Sequence, residues 1–494
     1  MWQFLSGFEM VLHWHYVAYM FVGVAFGLLL GFLPGLHGGT GMALMLPFTY
    51  EMEALTSLVF LLSIYTGSLF GGAVTAILFN TPGTSANIAT AFDGYPMSRS
   101  GQPGRALGLS LMSSFGGGVV GCACLLLLAE PMSRVSIRFG AAEIFMVAVF
   151  GLSMIGSLAD NVLKSLYAGV FGILLGTVGM SASGVIRGTM GNTYLIDGIP
   201  LSATLVGLMA LPEIFDQLAS PTKIPSSEKQ HNMPRQFLEG ILETLRKGPR
   251  VLVSSLIGVF VGIMPAAGST VASMLSYNQS KQFSERPELY GTGCPDGIIA
   301  SEAANNASEG GALATMYILG IPGSGGAALV LAALVLQGWL PGPQMFLEHS
   351  EILYASISSL FLQQFVMLLL GGVFCLLGTQ IVRLPLIYLM PCILVFTFLG
   401  AYSTRYLLFD SGLMLFFCAI GWLMKRNGYP LPPLVLGLLL GSIADTELMR
   451  VYQGYDHFYE IFGSPIVCLL ALASAAGVAY PAIAGRSKKR NAGM

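Results

Sequence analysis

Long apolar runs fill most of this 494-residue chain and leave few charged residues to separate them. Asp, Glu, Lys and Arg make up 10% of the sequence, whereas soluble proteins carry about 25%. Because a soluble chain of this length needs more charge at its surface, the sequence predicts an all-α polytopic membrane protein. The same composition excludes a disordered chain, a secreted disulfide scaffold and a nucleic-acid-binding protein.

A hydrophilic stretch at 213–250 divides the chain almost in half. We therefore expect a first transmembrane repeat over 1–212, a linker over 213–250, a second repeat over 251–485 and a tail over 486–494. Loops rich in Lys and Arg stay on the cytoplasmic side of a membrane. The linker and the tail both carry clusters of these residues, so we expect both to be cytoplasmic.

The two halves share a pattern of proline–glycine breaks within apolar segments. The Gly-x-x-Pro sequence at 31–35 matches the one at 262–268, and the segment 71–84 matches 310–324, with Gly71 aligned on Gly310. Paired interruptions of this kind are the best sequence sign of the binding site of a secondary transporter. One break alone would be a kink, but four in a two-fold pattern favour a substrate or ion site.

The breaks leave backbone groups without helical partners, and such groups cannot face lipid. The start of a half-helix presents free N–H groups and suits an anion, whereas carbonyl and side-chain oxygens suit a small cation such as Na⁺. The candidate substrate-binding residues are Gly35, Thr40, Pro82, Gly83, Thr84, Ser85, Ser269, Thr270, Pro322, Gly323 and Ser324.

A run of acids and amides at 301–309 precedes the last break and places its polar residues on one helix face. One interpretation is cation coordination or proton coupling; the other is a capped helix start at the membrane surface, with Glu302 in its first turn. The candidate cation-binding residues are Asn80, Thr81, Glu302, Asn305 and Asn306, and His37 and Glu309 are candidates for proton coupling or selectivity. We expect Na⁺ or H⁺ as the coupling ion, with no cofactor and no transition metal.

Two further interpretations concern the first half and the class of protein. Segment 93–99 has the composition of a turn-rich surface loop. An intramembrane hydrolase is disfavoured because Ser324 lacks the upstream glycine of a nucleophile elbow and His37 alone among the histidines lies near the breaks. We therefore expect a carrier and not an enzyme, and the paired breaks disfavour a channel.

The segments 33–47, 65–108, 262–277 and 301–343 resemble the TctA family, the large membrane subunit of bacterial tripartite tricarboxylate transporters. The strings NTPGT at 80–84 and LGIPGS at 319–324 are specific. The resemblance implies two inverted repeats with re-entrant hairpins, moving as an elevator in the bacterial inner membrane. It also implies an ion gradient, commonly Na⁺, a small TctB-like membrane subunit, and a TctC-like extracytoplasmic protein that delivers a tricarboxylate or dicarboxylate.

The sequence departs from the usual pattern of that family near the inferred site. His37 stands in place of a common glycine of a Gly-Pro pair, Ala266 replaces a glycine, Ser301 replaces a proline, and Ser308 and Glu309 replace small apolar residues. The substrate therefore need not be citrate. The alternative is an autonomous secondary carrier of another small organic anion that needs no binding protein.

Overall fold

The computed structural model is helical over nearly all of the residues that it describes. These are residues 2–33, 38–80, 82–136, 139–153, 162–181, 183–212, 215, 232–264, 268–339, 341–381, 394–395, 398–399, 401–402 and 405–475.

The first half contains nine helices within its described residues, which are α1 Trp2–Val11, α2 Trp14–Phe32, α3 Gly38–Thr49, α4 Ala54–Phe79, α5 Ile88–Arg99, α6 Pro103–Ser136, α7 Ala141–Ser153, α8 Val162–Gly176 and α9 Leu201–Leu205. A π-helical turn, Val206–Ala210, continues α9. A short antiparallel pair of strands, β1 (Gly179–Met180) and β2 (Ile186–Arg187), follows α8.

The described helices of the second half are α10 Met233–Arg246, α11 Gly248–Ile263, α12 Gly268–Gln282, α13 Pro295–Leu319, α14 Gly325–Leu336, α15 Pro343–Glu348, α16 Ser350–Ile381, α17 Leu408–Arg426, α18 Leu431–Gly454 and α19 Pro465–Ala475. Single 3₁₀ turns lie at Ser85–Asn87, Thr193–Leu195, Pro287–Leu289 and Phe458–Gly463.

Five helical segments of the described chain are long and apolar enough to cross a membrane: Trp14–Phe32, Ala54–Phe79, Pro103–Ala129, Ser350–Leu376 and Leu408–Arg426. All of α4 is surrounded by protein, whereas α17 is largely exposed. The fold therefore has a protein-enclosed centre at α4 and a periphery of lipid-type surface, as expected for a polytopic membrane protein.

Matched glycine contacts hold equivalent helix pairs together in the two halves. A side chain at Gly31 of α2 would collide with the backbone of Ser68 on α4, and one at Gly262 of α11 would collide with the backbone of Ser308 on α13. Glycine permits this close approach because it has no Cβ. The structure thus pairs α2–α4 with α11–α13.

The same contacts correct the sequence alignment of the two halves by one residue. Gly71 packs on the α2 backbone at Leu28 and Gly31, and its counterpart on the α11 backbone is Gly311, not Gly310. Gly310 instead packs on Gly121 of α6. Packing on the neighbouring helix, rather than the order of the small residues, sets the register.

The prediction of a surface loop at 93–99 is wrong, because these residues form the second half of α5. Gly94 is needed for packing and not for a turn, since a Cβ there would lie 2.6 Å from Cγ1 of Ile77. Asp93 is fully buried, and its Oδ1 accepts backbone N–H bonds from Gly291 at 2.8 Å and Cys294 at 2.7 Å. The end of α5 is thereby fixed to the start of α13.

The last part of the hydrophilic linker forms α10, which packs along α6. Arg105 of α6 pairs with Glu243 of α10 at 2.7 Å, and Lys247 bridges Glu243 and Asp296 at 2.9 and 2.8 Å. Arg250 pairs with the same Asp296. These ion pairs join the linker to the first turns of α6, α11 and α13.

Candidate functional site

The second break of the first half lies against the start of α12 in the second half. Ser85 Oγ is 2.7 Å from Thr270 Oγ1, and the hydroxyl of Ser273 donates to the carbonyl oxygen of Ala86 at 2.8 Å. Two of the predicted substrate-binding residues, 185 positions apart in sequence, therefore touch. They are also accessible, since Ser85 is exposed and Thr270 is partly exposed.

The second break of the second half lies against α4 of the first half. The hydroxyls of Tyr65 and Ser324 lie 2.8 Å apart. Ser324 also accepts the backbone N–H of Ala327 at 3.1 Å, and so caps α14. Each half thus supplies one broken segment that ends against a helix of the other half.

Both break glycines are packing positions rather than open ligand sites. Gly83 is buried against the carbonyl of Gly31 and its N–H donates to the carbonyl of Gly72 at 3.2 Å. Gly323 is buried in the same way against the carbonyl of Gly262. A side chain at either position would displace backbone, so these glycines let each break fold back along α4 or α13.

Glu302 is held by three side-chain donors from the first half. Asn87 Nδ2 donates to its Oε1 at 3.2 Å, Thr90 also donates to Oε1, and Ser114 donates to Oε2 at 2.8 Å. The alternative that placed Glu302 in a first turn at the surface is wrong, because α13 begins at Pro295 and Glu302 has no exposed surface. Three hydrogen bonds can support a buried carboxylate.

Asn305 stands on the same face of α13, and its amide has no hydrogen-bond partner among the described residues. The side chain is fully buried, yet neither Oδ1 nor Nδ2 has a hydrogen-bond partner within the described residues. Asn306 differs, since its Nδ2 donates to the carbonyl oxygen of Glu302 at 3.1 Å. A buried amide without a partner is costly, which makes Asn305 the better candidate ligand of the two.

Glu309 lies beside the break at Ser324. The hydroxyl of Ser324 donates to its Oε2 at 3.1 Å, whereas Oε1 is buried without a partner among the described residues. Sequence reasoning missed Tyr65, the third member of this cluster, because a lone tyrosine in an apolar helix gives no signal. By the matched register, Tyr65 stands on α4 where Asn305 stands on α13, and a corrected alignment would have found it.

The start of α14 opens to accessible space. Gly325 is exposed, and a Cβ there would meet no atom within 4 Å. The N–H groups at the first positions of a helix have no intrahelical acceptor. No Lys or Arg occurs in 38–80, 82–98, 268–280 or 297–336, so an anion here would meet amides and hydroxyls.

The remaining predicted site residues occupy different surroundings. Asn80 is exposed, has a left-handed φ of 55° and ends α4. Thr40 is buried in α3, and Ser269 is partly exposed at the start of α12. Gly35, His37 and Thr81 lie outside the described residues, whereas Thr84 donates to Asn87 Oδ1 at 2.7 Å. Pro82 is partly exposed and Pro322 is buried.

A cavity of about 470 Å³ lies away from the breaks, between β2 and α18. Its one arginine, Arg187, is paired through both terminal nitrogens with Asp445, and Asp197 and Glu447 also line it. The carboxylates outnumber the arginine, so the cavity does not suit an anionic solute. We place the candidate site at the breaks.

Comparison with known proteins decides the family. The model of the "Tripartite tricarboxylate transporter TctA family" matches residues 17–436, and so covers all four breaks. The chain belongs to the TctA family. Membership confirms the resemblance drawn from the break motifs, and it agrees with a transport protein that spans the membrane.

Two relatives from Agrobacterium vitis add to the match. The first, an "uncharacterized 52.8 kDa protein in TAR-I ttuC' 3'region", is 35% identical over 449 residues, which cover 90% of this TctA-family chain and 88% of the relative. The second, an "uncharacterized protein in TAR-II ttuC' 3'region", is 30% identical over 193 residues, or 39% of this chain and 80% of the relative. No solved structure matches the chain.

Proposed function

We propose that this TctA-family chain is the permease subunit of a tripartite importer in the bacterial inner membrane. An inward ion gradient, with Na⁺ as the main coupling ion, drives the uptake of a dicarboxylate or tricarboxylate. An extracytoplasmic binding protein delivers the substrate, and a small integral-membrane subunit completes the assembly. Membership of the family supports this assignment.

The observation that carries the proposal is that the second break of each half contacts the other half. Ser85 meets Thr270, and Ser324 meets Tyr65, so polar groups from both halves converge beside two interrupted helices. Irregular backbone at membrane depth is tolerated where it lines a cavity or binds a ligand.

The arrangement also supports inverted repeats with an elevator-type movement. Asp93, in the middle of α5, binds the loop before α13, and Gln337, just after α14, binds the carbonyl of Thr49, shortly before α4. The path from α4 to α5 therefore runs against the path from α13 to α14. Two units of opposite direction are the architecture on which alternating access is built.

Within this site the anion and the cation have separate ligands. The carboxylates of the substrate bind at the exposed starts of the half-helices, at Ser85 and at Gly325, where N–H groups and the helix dipole favour negative charge. Na⁺ binds next to Asn305, whose amide oxygen is an oxygen ligand of the kind that a hard cation prefers.

Uptake of labelled di- and tricarboxylates into proteoliposomes tests the proposal. The liposomes hold this chain with its small membrane subunit, and uptake is measured with and without an inward Na⁺ gradient and with and without the binding protein. With the pH equal on both sides of the membrane, we expect accumulation only when the Na⁺ gradient and the binding protein are both present. Uptake without the binding protein would instead identify an autonomous carrier, and no movement of any carboxylate would overturn the proposal.

A further inference from the structure

Glu309 of α13 forms a cluster with two other side chains, Tyr65 of α4 and Ser324 at the break before α14. Its Oε2 accepts the hydroxyl of Ser324 at 3.1 Å, and that hydroxyl lies 2.8 Å from the hydroxyl of Tyr65. The hydroxyl of Tyr65 also hydrogen-bonds the carboxyl group of Glu309. Hydroxyl groups from α4 and from the break therefore converge on this carboxyl group.

The second oxygen of this carboxyl group, Oε1, lacks a hydrogen-bond donor among the described residues. Oε1 of Glu309 is buried and has no partner within the described part of the chain, and the whole residue is only 6% exposed. An ionised carboxylate in apolar surroundings needs more compensation than the two neutral hydroxyls of Tyr65 and Ser324 supply. Glu302, seven residues earlier on the same helix face, has three donors on its two oxygens.

The cluster occurs in one half of the molecule only. In the register fixed by Ser68 and Ser308, the residue of α4 that corresponds to Glu309 is Leu69. The architecture of the breaks thus does not require an acid at this place. Its presence in the second half points to a task that belongs to Ser324 and to the start of α14.

The titratable groups around Glu309 leave its charge without a compensating cation. Within the described chain, the side chains that act on its carboxyl are Tyr65 and Ser324, and α14 has no titratable residue. Other helices that pack on α13 also carry charged and titratable groups. Some of these groups are bound to partners other than Glu309. Asp93 is bound by Tyr277, Arg105 is paired with Glu243, and Arg250 is paired with Asp296.

The rest of these groups lie on the remaining sides of α13 or at helix ends. The thiols of Cys122 and Cys124 are on α6, and the last turns of α5, α12 and α15 carry Tyr95, Arg99, Lys281 and Glu348. Among the described residues, Glu309 therefore has only the hydroxyl groups of Tyr65 and Ser324 to interact with. A negative charge on Glu309 would therefore repel an anion bound at the neighbouring Gly325, with no described cation to neutralise it.

We propose that Glu309 is a proton-binding site that must be protonated when a carboxylate occupies the start of α14, so that one proton is carried with the substrate. This rests on the proposed carboxylate transport. The anion and ionised Glu309 compete for the hydroxyl of Ser324 and repel each other. A proton on Glu309 removes both conflicts, and its loss on the other side of the membrane favours release.

The test compares the wild-type importer with Glu309→Gln, which keeps the shape and removes the titration. Transport is measured in proteoliposomes at equal Na⁺ on both sides, first as substrate counterflow and then as accumulation driven by an imposed inward proton gradient. Glu351→Gln is the matched control, because Glu351 is exposed at the start of α16.

For the wild type we expect an apparent affinity that falls by up to about tenfold per pH unit once Glu309 ionises, together with accumulation driven by the proton gradient. Glu309→Gln should keep counterflow, lose the pH dependence of affinity and lose proton-driven accumulation. If Glu309→Gln keeps the wild-type pH dependence and accumulation, the inference is overturned while carboxylate transport stands. If it shows no counterflow, Glu309→Asp is used, and an unshifted pH profile in that variant also overturns it.

Discussion

The hydroxyl of Tyr65 on α4 lies 2.8 Å from the hydroxyl of Ser324, which caps α14 from the other half of the chain. This contact ties the second break of one repeat to a helix that is fully enclosed by protein. It therefore joins the two halves of the chain at the candidate site.

Replacing Tyr65 by Phe should loosen this connection without changing the packing of the ring. We expect a loss of about 1 kcal/mol in the free energy of unfolding, the usual net contribution of one hydrogen bond, and a lower rate of uptake. Thermal unfolding of the purified protein and counterflow in proteoliposomes measure the two effects. Tyr50→Phe, at an exposed tyrosine, is the control, and equal behaviour of the two variants would show that the contact is unimportant.

Asn305→Ala separates cation binding from fold stability. Because neither amide atom has a partner in the described structure, the substitution removes no hydrogen bond, and its stability cost should stay near that of a small cavity, about 1–2 kcal/mol. We expect the Na⁺ concentration needed for half-maximal uptake to rise at least about tenfold. Asn306→Ala, which removes the bond to the Glu302 carbonyl, should weaken stability as well. Unchanged Na⁺ activation in both variants would remove this pair from the cation site.

Matched glycine substitutions test the equivalence of the two halves. Gly31→Ala and Gly262→Ala each place a methyl group against the backbone of the adjoining helix, so we expect both to lower the free energy of unfolding by about 1–3 kcal/mol. Gly412→Ala, at a glycine of α17 with open space around it, should be neutral. A large effect of one site with none at the other would contradict the paired packing.

The ion pairs of the linker helix predict a loss of α10 docking in acid. Burial alone would raise the pKa of Glu243, but hydrogen bonds from Lys247 and Arg105 outweigh it and leave the pKa below the ordinary value of 4.5. A lowered folded-state pKa stabilises docking above pH 4.5, and this contribution is lost as the pH falls through the folded-state pKa.

Hydrogen exchange of the α10 amides should therefore be slow at pH 7 and should increase below pH 4.5, after correction for the intrinsic rate. In Glu243→Gln the exchange should be faster at pH 7, by a factor that corresponds to about 1 kcal/mol, and should lose this acid dependence. Protection that is equal in the two proteins at pH 7 would show that these ion pairs do not hold the helix.

The sequence was sufficient for the class of protein, the second break of each half and the family, because lipid exposure and backbone interruption depend on local composition. The first breaks, at 34–37 and 265–267, lie outside the described residues. The sequence was insufficient where packing between distant segments determines the local structure. The residues at 93–99 have the composition of a turn. In the structure, however, Gly94 leaves room for the side chain of Ile77, and Asp93 accepts hydrogen bonds from the backbone amides before α13. Glu302 could be placed at a helix start until the true start at Pro295 was known.

The sequence could not predict the hydrogen-bond partners of Glu302, because they come from distant segments of the chain. Asn87, Thr90 and Ser114 are ordinary polar residues in helical segments, and only the fold brings them to Glu302. Gly83 and Gly323 were predicted to bind substrate, and the structure shows both packed on backbone. Their contact with substrate stays a prediction.

The most direct test of the account is carboxylate uptake by a Gly325→Val variant in proteoliposomes with its partner subunits. A Cβ at Gly325 would meet no atom within 4 Å, so we expect the variant to fold while its side chain blocks the approach to the start of α14. Gly412→Val is the matched control. The account predicts at least about a tenfold loss in apparent affinity for the carboxylate at unchanged thermal stability, and none for the control. Wild-type affinity in Gly325→Val would contradict a substrate site at this half-helix.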